Sequence, residues 1–333
     1  MGDVPTFQTL TEAYALTRRT TVRTPLLDCP VLADATGATR VFVKAESLQK
    51  AGSFKIRGAT WRLAQLTPDE RVRGVVAYSS GNFAQGLAAA GKAAGVPVTI
   101  VMPVDAPDMK RRATEGFGAR VVLSDHGARP REEAASALAR DISAAEGLTL
   151  LHPFDDPAIV AGQAGVALET LEQLAELDGS PDLVACPVGG GGLIGGLSLA
   201  LRRALPQAMI YAVEPVGYDG MGASLRQGLA TRVASGARTI CDALQATQPG
   251  AAPFAAASSA GVLGLAVTDK DVRLALRFAF ERLKLVLEPS GAVALAALLS
   301  GALPARGREV LLIASGGNIA LEDFVALTRP EQE

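Results

Sequence analysis

One lysine and three small-residue loops carry the chemistry legible in this chain. Lys55 stands in GSFKIRGA (residues 52–59), with Gly52, Ser53 and Phe54 before it and Ile56 and Gly58 after it. Lysine forms Schiff bases, and desolvation lowers its pKa from the ordinary value of about 10.4 towards reactivity. The alternative is a lysine that merely flanks a helix start. Three further stretches, SSGN (79–82), GGGGL (189–193) and SGGN (315–318), concentrate glycine, hydroxyl and amide groups. Consecutive glycines let the main chain turn its N–H groups towards an anion, which suits a phosphate. A tight packing turn is the other reading of GGGGL, and the stretch is neither a Walker A loop nor a GxGxxG fingerprint. SSGN can bind a carboxylate or simply cap a helix, and SGGN can also be a cap. Together with a Schiff-base lysine, the loops describe one ligand: a phosphate, a carboxylate and an aldehyde-bearing ring between them.

Such groups must be held by strands and helix starts, and the sequence supplies both. VRGVVAYSS (72–80), PVTIVM (97–102), RVVLS (120–124), DLVACPVG (182–189), MIYAVEP (209–215) and EVLLIASGG (309–317) read as strands. Ala/Leu-rich helical stretches lie between them, and near-continuous apolar strands between helices predict parallel sheets covered on both faces. One set of units falls at about 74–151 and a second from about 180 onward. Prolines and turn residues in HPFDDP (152–157) mark the boundary. All three small-residue loops follow a strand, where open α/β sheets bind ligands.

The motifs SFKIRGA, SSGNFAQG, PVGGGGLIGG, AVEP, LEPSGAVAL and SGGN run in order from residue 53 to 318. In that order they resemble the serine/threonine dehydratase and serine racemase family of pyridoxal-phosphate enzymes, of the tryptophan-synthase-β fold (fold type II). The resemblance implies a two-domain α/β protein with parallel-sheet cores and the cofactor in the cleft between domains. Residues 1–73 and 152–333 would form the large cofactor-binding domain, and 74–151 a small substrate-gating domain. It further implies that Lys55 is the Schiff-base lysine, that Phe54 lies against one face of the ring and that Ala243 meets the other. Asn82 would bond the ring hydroxyl, Gly189, Gly190, Gly191, Gly192 and Leu193 the phosphate, and Ser315 would face the pyridine nitrogen. Ser79, Ser80, Gly81 and Asn82 would bind the substrate carboxylate. A serine, unlike an aspartate, does not enforce a protonated pyridine, which favours β-elimination over transamination. The implied reaction is dehydration of L-serine or L-threonine to a 2-oxo acid and ammonia. Rivals are a dehydratase for 3-hydroxyaspartate or phenylserine, a serine racemase using Ser80 as second acid, and a silent cofactor-binding protein.

This chain departs from the family pattern at several positions. Phe83 follows SSGN where His is usual, which makes the pocket more apolar and disfavours anionic β-substituents. Ala243 replaces a common Gly. The family's divalent-metal site uses Glu, a backbone carbonyl and Asp; Glu214 and the Tyr218 carbonyl match, but Gly220 takes the Asp position, with Asp219 adjacent. A hard cation needs several oxygens, and with Gly220 in the Asp position Glu214 and the Tyr218 carbonyl are too few for a standard site.

Composition narrows the classes further. The 333 residues are 49% hydrophobic and 20% charged, with a net charge of −2, so a large core is expected and nothing recruits nucleic acid or an anionic membrane. Cys29, Cys186 and Cys241 show neither metal-ligand nor disulfide spacing, which fits a reducing cytoplasm. No signal peptide, membrane span or regulatory domain after SGGN is expected, although MGDVPT satisfies the loose myristoylation pattern. By family analogy the enzyme is a homodimer.

Overall fold

Among the described residues, ten strands form between the Ala-rich helices and divide into two sheets. The computed structural model describes residues 3–127, 129, 131–234 and 236–329, so Met1 and Gly2 of the MGDVPT pattern lie outside the described residues. The strands are β1 (Leu26–Asp28), β2 (Arg40–Ala45), β3 (Val75–Tyr78), β4 (Val98–Pro103), β5 (Arg120–Ser124), β6 (Thr149–Leu151), β7 (Leu183–Pro187), β8 (Met209–Pro215), β9 (Leu263–Val267) and β10 (Glu309–Ala314). The larger sheet runs β1-β2-β10-β7-β8-β9, and the smaller runs β5-β4-β3-β6. Every pairing is parallel except β1 with β2, an antiparallel edge that the expectation of purely parallel sheets did not contain.

Four strands were invisible to an apolar-run reading, each for a physical reason. β2 (RVFVKA) carries Lys44, whose charge is buried in an ion network rather than exposed. β9 contains Gly264, and a Cβ there would meet the Gly222 Cα at 2.4 Å, so the glycine serves sheet–helix contact and is not a breaker. β1 and β6 have only three residues each. The remaining strands appear where expected: β5 and β8 with the expected bounds, β4 shifted by one residue, and β3, β7 and β10 shorter, since their loop ends leave the sheets to form the site.

Each sheet has its own apolar core. Val75, Ala77, Ile100 and Met102 pack with Leu87 and Leu63 on the small sheet, while β7, β8 and β10 are sandwiched between two further clusters. No helix among the described residues is long and apolar enough to cross a membrane.

Candidate active site

Lys55 is the first residue of the helix Lys55–Ala64, and buried side chains further along that helix pin it in place. Ile56, Ala59 and Leu63 enter the core of the small sheet. Arg57 is wholly buried, with its guanidinium 2.7 Å from Glu46 and 2.8 Å from Glu169, and Lys44 lies 2.7 Å from the same Glu169. Two cations and two carboxylates thus neutralise one another in the interior, and opposite charge is what makes such burial tolerable. Across the front of this helix runs the helix Asn82–Ala94, at Gly86. A Cβ at Gly86 would meet the Ile56 amide nitrogen at 2.9 Å, so glycine is what allows the approach.

The Lys55 amine therefore projects from a fixed backbone into an apolar corner. Its Nζ donates to the Pro153 carbonyl at 3.1 Å and lies 5.3 Å from the Phe54 ring centroid and 5.8 Å from that of Phe83. Burial pushes its pKa down to about 8, with Glu288 opposing the shift. Near neutral pH an appreciable fraction is the free amine, the nucleophilic form.

A cavity of about 430 Å³ opens at this corner. The ends of β3 and β7 and the loop after β10 all reach it, through Ser79–Phe83, Gly189–Leu193 and Ser315, with Phe54, Lys55 and Ala243 completing the expected set. The residues singled out by sequence are thus brought together, Glu214 and Tyr218 excepted. Sequence reasoning missed Tyr78, Lys110, Phe154, Asp242 and Glu288, which also line it. Only Glu288 offered a signal, as a lone acid ending the apolar run LVLEP.

Packing explains the glycines of the 189–193 loop better than expected. A Cβ at Gly190 would fall 2.2 Å from the Phe154 ring, and Gly191 has φ +95°, which an L side chain rarely adopts. Packing alone therefore requires glycine at 190 and 191, and would crowd a Cβ at Gly189 against the Ala243 carbonyl at 3.0 Å. What favours an anion is a different observation. Among the described residues, no acceptor serves the amides of Gly189, Gly190, Gly191, Gly192 and Leu193, where the helix Gly192–Ala204 begins. Orphan N–H groups at a helix start are an anion site, so the loop fits a phosphate.

The SSGN loop needs one correction. The Ser79 amide is committed to the Val101 carbonyl, and Ser79 Oγ accepts from the Gly81 amide. Amides of Ser80, Asn82 and Phe83 remain for a carboxylate. The helix Asn82–Ala94 has Gly81 as its N-cap and no side-chain cap, so Ser80 is not a capping residue. Asn318 is not a cap either, because the next helix starts at Leu321; its amide instead bonds Ala51 and Asn82.

The residues expected at a divalent metal do not fit one. Both Glu214 oxygens accept amides, from Met221 and Gly222, each at 2.8 Å. A side chain at Gly220 would meet the Thr247 carbonyl at 2.9 Å, and Asp219 faces Arg226 at 3.6 Å. Among the described residues no group of three or more His, Cys, Asp or Glu is placed to hold an ion.

Residues 18–316 match the family described as pyridoxal-phosphate dependent enzyme. The chain is 40% identical to an L-threonine ammonia-lyase of Thermotoga maritima, covering 94% of this chain and 76% of that protein. It is 35% identical to an L-threo-3-hydroxyaspartate ammonia-lyase of Saccharomyces cerevisiae, covering 99% and 98%. Among solved structures, maize serine racemase superposes with a TM-score of 0.89 at 32% identity, covering 98% of this chain and 96% of that one.

Proposed function

The chain belongs to the pyridoxal-phosphate dependent enzyme family, and from that premise we propose that it is an ammonia-lyase for L-serine, L-threonine or a related uncharged β-hydroxy amino acid. Pyridoxal 5'-phosphate is its cofactor, and when bound it supplies the electron sink that makes an amino acid's α-proton removable. The observation that carries the reading is the convergence, in one cavity, of Lys55 and the five amides that lack acceptors. In this reading the amides of Gly189–Leu193 hold the phosphate, and Phe54 and Ala243 border the ring. The free N–H of Asn82 serves the ring hydroxyl and Ser315 the ring nitrogen. The amides of Ser80, Asn82 and Phe83 hold the substrate carboxylate. Lys55 Nζ takes the α-proton and passes a proton to the departing β-hydroxyl, which leaves as water, and hydrolysis of the released enamine gives 2-oxo acid and ammonia.

Two observations favour an uncharged β-substituent. Phe83 is buried at the cavity wall where a charged group would lose solvent without gaining a partner. The cations beyond it are already engaged, Lys110 with Asp242 and Arg131 with Asp105. The domain bounds proposed are 1–73 with 152–333 and 74–151, which separate the two sheets. A cytoplasmic homodimer belongs to the same proposal and rests on the resemblance alone.

The test is release of 2-oxo acid across serine, threonine, phenylserine and 3-hydroxyaspartate. Turnover of the first two, and faster turnover of threonine than of 3-hydroxyaspartate, is expected. No turnover of any of them contradicts the lyase reading, and preference for 3-hydroxyaspartate contradicts the specificity. Racemisation is a second reading, favoured by one observation: Ser80 lines the cavity without serving as a helix cap.

A further inference from the structure

Among the described residues, Glu288 is the one carboxylate at the cavity that is both buried and left half-satisfied. It is 1% exposed, Oε1 accepts from Asn82 Nδ2, and Oε2 has no partner. It ends the apolar run before the helix Pro289–Leu299 as that helix's N-cap residue, without a side-chain cap bond, so it is not there to start the helix. Its position is crowded as well. A Cβ on Gly316 would lie 2.2 Å from Oε1, and the Glu288 amide donates to the Gly316 carbonyl at 3.1 Å.

The hydrogen bonds around it have only one consistent direction. The Ala51 carbonyl can only accept, so Asn318 turns Nδ2 towards it, at 2.9 Å. The second N–H of that nitrogen goes to Asn82 Oδ1, at 2.8 Å. Asn82 must therefore present Nδ2 to Glu288, and one N–H of that nitrogen remains. Ala51 itself sits at φ +60°, a conformation costly for a residue with a Cβ and held by its surroundings. The chain Ala51–Asn318–Asn82–Glu288 thus ends at an acceptor with a spare oxygen.

We propose that Glu288 is the positioning residue for Asn82, fixing the amide so that its remaining N–H serves the group bound at that edge of the cavity. This rests on the cavity being the cofactor site. Because Oε1 accepts, a proton on Glu288 sits on Oε2, which turns from donor to acceptor as the group ionises. Burial raises its pKa to about 7, Lys110 and Lys55 oppose the rise, and Asp242 adds to it. Those are the charged groups facing it from the helices Lys55–Ala64 and Asp108–Gly116 and from the turn Asp242–Leu244. The Ser315–Asn318 loop supplies none.

Glu288→Gln keeps an acceptor for Asn82 and cannot ionise, while Glu288→Ala removes the acceptor. In Glu288→Ala we expect a shifted visible cofactor band and cofactor release by dialysis about tenfold easier, as for one buried donor left unpaired. In Glu288→Gln we expect wild-type retention and loss of a bend near pH 7 in the kcat/KM profile. A Glu288→Ala protein with unchanged band and retention overturns the inference. So does a Glu288→Gln protein as impaired as Glu288→Ala. Should Glu288→Ala not fold, an unaltered bend in Glu288→Gln overturns it. A colourless wild type overturns the cofactor reading and this inference with it, whereas a coloured wild type with an unaffected Glu288→Ala overturns this inference alone.

Discussion

Lys55 illustrates how far single residues could be understood before the fold was known. Its setting between small and apolar residues was compatible with a desolvated amine or with a helix start, and the structure shows both: Lys55 opens a helix, and its amine meets two aromatic rings and a single carbonyl partner. Ser80 was ambiguous, since a serine before Gly-Asn caps helices as readily as it lines pockets. The structure removes the capping role, because Gly81 is the cap. If Ser80 is the acid on the side opposite Lys55, Ser80→Ala should abolish any D-serine formed from L-serine while 2-oxo acid release persists. Chiral analysis of serine alongside the keto-acid assay checks this, and a wild type that forms no D-serine removes the role. Glu288 was not assigned from sequence, because its partner Asn82 lies 206 positions away and only folding brings the two together, with Asn318 bonded to the same Asn82.

At the scale of elements, strands were readable where apolar runs end in glycine and hydroxyl residues, and hidden where buried charge broke the run. β2 is the instructive failure, as Lys44 looks like a surface residue until Glu169 and Gln173 are placed around it. The same network holds the helix that carries Lys55, two residues before Arg57. Replacing Arg57 by Met leaves Glu46 and Glu169 sharing one cation in the interior. Loss of one member of such a cluster costs about 3–5 kcal/mol. Urea unfolding of Arg57→Met should show a loss of that order together with weakened cofactor retention; a stability within about 0.5 kcal/mol of wild type, the usual range for surface changes, would contradict it.

At the scale of the molecule, the site exists because two sheets meet. The small sheet brings Ser79–Phe83 and Lys110, and the large one brings Gly189–Leu193, Asp242, Glu288 and Ser315. Asn82 to Glu288 and Lys110 to Asp242 are bonds between these two groups, and both border the cavity. The division into two sets of units was legible as alternating strands and helices, but the contribution of β1 and β2 to the large sheet was not, since no local pattern says that residues 26–45 will pair beside β10. The central claim is that Lys55, of all the lysines, carries the cofactor in this cavity. Borohydride reduction of the purified protein, followed by digestion and peptide mass analysis, measures it directly. Loss of the visible band and the reduced cofactor's mass on the peptide containing Lys55 are predicted. An unmodified Lys55, or the mass found on Lys44 or Lys110, would contradict it.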